Sequence, residues 1–154
     1  MFKQQNNEFG TRTFVAPDLV LETLARAWPL SQSLPAGSAR ALFLLFAIAE
    51  IHPFKDGNGR ISRLGMNAEL EHVGAARLIL PTSLRLDYLS VLEALTTKHN
   101  TEPYIAFAHK LIDLNSRMVF STFRAAHDHF RQTGALDETA NNFGLLPLLE
   151  AGKL

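Results

Sequence analysis

Apolar residues recur along most of this chain at helical spacing, three and four apart, and not in strict alternation. From Pro17 to Trp28 the pattern predicts a helix, with Pro17 suited to the first turn, Asp18 and Glu22 near its positive end, and Pro29 as the stop. Ser31 to Gly37 reads as a loop, and Ser38 is placed to cap the next helix. Ala39 to Ile51 is apolar on nearly every face through Leu42, Phe43, Leu44, Leu45, Phe46 and Ile48, the mark of a helix at the centre of a bundle. Pro53 blocks its continuation. Arg60 to His72 carries Ile61, Leu64, Ala68 and Leu70, and Gly74 ends that run. After a short extended link, Leu78-Ile79-Leu80-Pro81, a helix over Leu84 to Thr97 presents Leu84, Tyr88, Val91, Leu92 and Leu95. Thr101 and Pro103 open a further helix. Tyr104, Ala108, Leu111, Ile112, Met118, Val119 and Phe123 trace one of its faces, and Gly134 closes it.

The two ends differ from the middle. Residues 1–10 are polar and read as a disordered or extended tail, followed by a short β-prone stretch, Thr11 to Val15. Leu136 to Leu154, around Pro147, reads as a last short helix or a linker. The expected organisation is an all-α bundle with at most a small β-hairpin: an N-terminal tail or partial flap over 1–16, a helical domain over 17–133, and a C-terminal segment over 134–154.

Composition narrows the classes of function. At 154 residues the chain suits one domain that buries roughly 70 % of its unfolded surface. Fifteen basic residues balance fifteen acidic ones, so neither nucleic acid nor an anionic membrane is expected as the main partner. Cysteine is absent, which removes disulfide and thiol chemistry. The polar start is no secretory signal, and the run Ala41 to Ala49 is too short to span a bilayer, so a cytoplasmic protein is expected. His127 and His129, two apart, do not share a helix face and read as solvated, not as metal ligands. His72, His99 and His109 have no partner that the sequence reveals.

The chemistry concentrates in one stretch, His52-Pro53-Phe54-Lys55-Asp56-Gly57-Asn58-Gly59-Arg60-Ile61-Ser62-Arg63. Gly57-Asn58-Gly59 is a turn tolerant of positive φ, whose successive amides form an anion-binding nest. A helix starting near Gly59 adds its free first-turn amides and its dipole. Arg60 and Arg63, three apart, share a helix face and can grip separate oxygens of one polyphosphate, with Asn67 further along that face. Asp56 is a single carboxylate beside the nest, which suits Mg²⁺. His52, with an ordinary pKa near 6.5, can accept a proton at neutral pH. Phe54 reads as the buried anchor of the loop. Each residue alone has an ordinary explanation as turn, solvated face or structural histidine. No folding requirement asks for all of them together.

This stretch resembles the signature of the Fic family, His-x-Phe-x-(Asp/Glu)-Gly-Asn-Gly-Arg-x-x-Arg, and every specified position is met by His52, Phe54, Asp56, Gly57, Asn58, Gly59, Arg60 and Arg63. The resemblance, over roughly residues 11–125, implies a Fic-like helical bundle that transfers AMP from ATP to a hydroxyl side chain of a target protein. It implies His52 as general base and Asp56 as the Mg²⁺ ligand. It gives the turn amides and Asn58 to the α-phosphate, and Arg60 and Arg63 to the outer phosphates. Thr11 to Val15 would be the returning strand of the flap that aligns the target. Arg85-x-x-Tyr88 resembles the helix whose Tyr lines the adenine pocket, so Tyr88 is an adenine candidate. A Tyr on an apolar face is otherwise core.

Departures from the family pattern matter for subclass. Arg60 stands where the Doc-like kinases carry Lys, which disfavours phosphate transfer. Thr96 stands where related AMP transferases often place Asn near the adenine. The inhibitory pattern (Ser/Thr)-x-x-x-Glu-(Gly/Asn), whose Glu pairs with the second motif arginine, is not found in this sequence, so a separate antitoxin-like chain is one way activity could be restrained. The competing expectations are a Fic-fold transferase of another group (UMP, phosphate or phosphocholine) and an inactive nucleotide-binding or interaction module.

Overall fold

The computed structural model describes residues 1–9, 12–118, 121–132 and 134–136. Two short strands, β1 (Glu8–Phe9) and β2 (Arg12–Thr13), pair antiparallel with Glu8 opposite Thr13 and Phe9 opposite Arg12. Among the described residues six α-helices follow: α1 (Val20–Ser33), α2 (Ser38–Ile51), α3 (Asn58–His72), α4 (Arg85–Lys98), α5 (Glu102–Ser116) and α6 (Phe123–Gln132). The all-α expectation with a small hairpin holds, and the outgoing strand fits within the segment expected to be a tail. The chain divides into two compact units, Met1–Arg77 and Leu78–Leu154.

In the first unit α2 is the hub. From Arg40 to Ile51 none of its residues is exposed, as its all-round apolar pattern requires. It packs against both α1 and α3. Gly65 in α3 allows the α2–α3 approach, since a Cβ there would stand 3.0 Å from Ile48 Cδ1. Val20, Ala47 and Ile51 form a core cluster, joined by Phe2, Val15, Leu24, Ala27 and Phe43.

Helix α1 corrects one expectation. Pro29 lies inside it, not at its end. The stripe Val20, Leu24, Ala27 and Ser31 is the buried or half-buried face of α1, and it continues past Pro29. The actual stop is Pro35, which holds Leu34 extended at φ −81° and ψ 151°. Arg40 caps the end by donating to the carbonyls of Ser31 at 3.0 Å and Leu34 at 2.9 Å. Its guanidinium also faces Glu69 of α3 at 3.5 Å, so one side chain ties three helices. Nor does Ser38 cap α2. Gly37 holds that position at φ 95° and ψ −135°, and its amide donates to Glu69 Oε1 at 3.0 Å.

In the second unit Leu84 just before α4, Tyr88 and Leu92 of α4, and Tyr104, Phe107, Ala108, Leu111 and Leu114 of α5 supply buried positions. Asn115 clamps the extended link, accepting from Ile79 N at 2.7 Å and donating to Ile79 O at 3.0 Å. Asn100, not Thr101, supplies the side-chain bond at the start of α5, accepting from Glu102 N at 3.1 Å. The single long helix expected from Tyr104 to Phe123 is interrupted. Helix α5 stops at Ser116, and α6 restarts with Thr122 Oγ1 accepting from Ala125 N at 3.1 Å. Phe123 is consequently 87 % exposed. Val119 and the segment 137–154, with its expected last helix, lie outside the described residues.

Candidate active site

His52 is delivered by the end of α2. It occupies the left-handed C-cap position, φ 51° and ψ 55°, while its amide closes the helix on Ile48 O. Its ring Nδ1 lies 3.1 Å from Ala49 O. A carbonyl only accepts, so Nδ1 carries the hydrogen and Nε2 is left with the lone pair. Phe14 stacks on the imidazole, with ring centroids 3.9 Å apart and an interplanar angle of 21°. Arg12 lies over the Phe14 ring at 5.4 Å and pairs with Glu50. Burial pushes the His52 pKa below its ordinary value of 6.5. The Ala49 bond opposes that shift, the Lys3 charge adds to it, Glu50 opposes it and Arg12 adds to it.

The loop after His52 is held from both sides. Asn58 is 2 % exposed. Its side chain closes on one residue, accepting from Phe54 N at 2.8 Å and donating to Phe54 O at 2.8 Å. Thus Asn58 fixes the loop with its side chain and leaves its backbone in the first turn of α3. Gly57 caps α3 in the left-handed region, φ 82° and ψ 4°, a conformation open to glycine at no steric cost. No side chain caps this helix. Its N-terminal amides and dipole therefore favour an anion.

The upstream segment supplies the other side of the clamp. Lys3 N donates to Pro53 O at 2.9 Å, Asn7 Nδ2 donates to Phe54 O at 3.0 Å, and Phe2 stacks on Phe54 at 5.7 Å. Phe2, Lys3 and Asn7 therefore anchor the N-terminal segment to the loop, and that segment is not the free tail expected from its polarity. Lys3, 3 % exposed, has an Nζ with no hydrogen-bond partner among the described residues, and burial lowers its pKa. Sequence reasoning missed Phe2, Lys3, Asn7 and Phe14. The only available signal was that two Phe residues interrupt an otherwise polar segment.

The two arginines flank the Gly-Asn-Gly turn. A Cβ on Gly57 would meet Arg60 Nη2 at 3.3 Å, and one on Gly59 would meet Arg63 Nη1 at 3.5 Å. Arg60 Nη2 also reaches Asp56 Oδ2 at 3.3 Å, an exposed pair worth little in water. Asp56 is 91 % exposed on its side chain. A single open carboxylate beside a nest fits Mg²⁺, which takes one or two protein oxygens and completes its shell with water and phosphate. Among the described residues no group of three His, Asp or Glu could hold a metal by itself. Tyr88 belongs to the second unit. It is 6 % exposed and its ring packs at 5.9 Å from Phe107. Among the described residues no helix is long and apolar enough to cross a membrane.

Residues 3–70 match the model of the Fic/DOC family. The match begins upstream of the expected 11–125 and stops well before its end. Among proteins similar to this chain, protein adenylyltransferase fic-1 of Caenorhabditis briggsae is 33 % identical over 105 residues, covering 66 % of this chain and 20 % of that protein. Protein adenylyltransferase Fic of Drosophila grimshawi is 31 % identical over 106 residues, covering 69 % and 21 %. Protein adenylyltransferase fic-1 of Caenorhabditis elegans is 26 % identical over 129 residues, covering 81 % and 25 %. The chain thus spans about a fifth to a quarter of the length of these curated relatives.

Proposed function

Because residues 3–70 belong to the Fic/DOC family, we propose that this chain carries the active site of a protein adenylyltransferase, moving AMP from ATP to a hydroxyl of a target protein. The reading is supported by the names of the relatives. The observation that carries it is the state of His52: a neutral imidazole with its lone pair on Nε2, next in the chain to a nest flanked by two guanidiniums.

In the proposed reaction the target hydroxyl attacks the α-phosphorus. An oxygen–phosphorus bond forms, the bond to the bridging oxygen breaks, pyrophosphate leaves, and Nε2 of His52 takes the hydroxyl proton. The first-turn amides of α3 and the dipole behind them stabilise the α-phosphate. Arg60 and Arg63 hold the outer phosphates, and Arg60 exchanges its weak pairing with Asp56 for phosphate oxygens. Mg²⁺, with Asp56 as its protein ligand, would neutralise charge on the phosphates. Asn58 serves by holding the loop.

The test uses ATP labelled at the α- or the γ-position with a host lysate as acceptor. Label transferred from the α-position, lost in His52→Ala while that variant still binds ATP by calorimetry, is the expected result. Label transferred from the γ-position instead would replace the reading with a kinase. Full transfer by His52→Ala would remove His52 as the base. ATP binding without modification of any protein would leave a nucleotide-binding module.

A further inference from the structure

Phe14 lies outside the stretch His52 to Arg63, yet its ring stacks on the His52 imidazole. The Phe14 ring touches both neighbours: the His52 imidazole stacks on it at 3.9 Å, and the Arg12 guanidinium lies over it at 5.4 Å. Each is held independently. Arg12 is anchored by Glu50, two residues before His52 on α2, with both side chains largely buried. Phe14 is fixed at its backbone, where its amide donates to Asn7 O at 3.3 Å and extends the β1–β2 pairing by a further bond. His52 is fixed at its other edge by Ala49 O. An imidazole bonded at one nitrogen can still swing about that bond, and a ring stacked on its face removes that freedom.

We propose that Phe14 is a positioning residue for His52, holding the imidazole plane and coupling it through Arg12 and Glu50 to the β1–β2 hairpin, so that Nε2 keeps one direction. This rests on the reading of His52 as the base. The same contact keeps water from one face of the ring, in line with burial as the main reason for the depressed pKa. The other charged groups acting on that ring are Lys3 and Arg12, which favour its neutral form, and Glu50, which favours its protonated form.

Phe14→Ala and, should that variant fail to fold by circular dichroism, Phe14→Leu test the proposal against Phe14→Tyr. The expected result for the first two is a fall of about tenfold or more in kcat with ATP affinity unchanged, because a misdirected base costs rate and not nucleotide binding. The acid limb of their rate profile should move to higher pH, and the His52 ring should titrate at higher pH by NMR. Phe14→Tyr, which keeps the stacked ring, should restore kcat to within about twofold. A Phe14→Ala or Phe14→Leu protein with unchanged kcat and an unchanged His52 titration would overturn the proposal, even if its melting temperature fell. The NMR titration needs no turnover. If the wild type modifies no protein, the ring contact is still decided by that measurement, separately from the failure of the enzymatic reading.

Discussion

His52 shows how one residue's state follows from its neighbours. Its pKa is pushed below 6.5 chiefly by burial, so the neutral form persists at pH values where a solvated histidine would be half protonated. In the proposed reaction His52 is the base, and a base must be neutral to act. The acid limb of the pH–rate profile for kcat/KM is therefore expected below pH 6.5, and a limb above that value would contradict the burial described here. Stability has the same sign. The folded protein binds this proton less readily than the unfolded chain, so the His52 contribution is present above 6.5 and is lost as pH falls through the folded value. The constellation itself was legible in the sequence, because His52, Asp56 and the two arginines lie within one short stretch whose turn chemistry is local. The role of Asn58 was not. Whether an Asn at a helix start faces a ligand or closes its own loop depends on where Phe54 sits, and only the fold decides that.

At the scale of elements, periodicity located the helices and misjudged some of their ends. Pro29 was read as a stop because a proline lacks the amide needed by the carbonyl of Ala25 four residues earlier. Burial of the Val20–Ser31 stripe outweighs that single lost bond. Pro29→Ala should therefore stabilise the protein by about 1–3 kcal/mol, by restoring the bond and a better helix former, and a urea denaturation series would measure it. An unchanged or lower midpoint would mean that the proline fits a bend the helix needs. The break between α5 and α6 escaped notice for the opposite reason. No Pro or Gly marks it. Instead Ser116 donates to Asp113 O at 2.7 Å and Thr122 caps a fresh helix, side-chain bonds that compete with helix continuation.

For the whole molecule, long-range ties explain what local patterns cannot. In the unit Met1–Arg77 the Arg40–Glu69 pair joins the ends of α1, α2 and α3, with both side chains mostly out of water. Arg40→Ala would leave Glu69 with one fewer partner and would remove the side-chain donor to the carbonyls of Ser31, Gln32 and Leu34 at the end of α1. The expected cost is roughly 2–3 kcal/mol, read as a lower denaturation midpoint. A loss below about 0.5 kcal/mol would show the pair to be as weak as a surface one. The family signature needs no such ties to be recognised, which explains why the motif was readable while its supports were not. Those supports bear on protein engineering. Anyone grafting the signature dodecamer onto a foreign helical scaffold must bring along the distant ribbon bearing Phe2, Lys3, Asn7 and Phe14, because the recipient would otherwise display the right letters on a slack hinge.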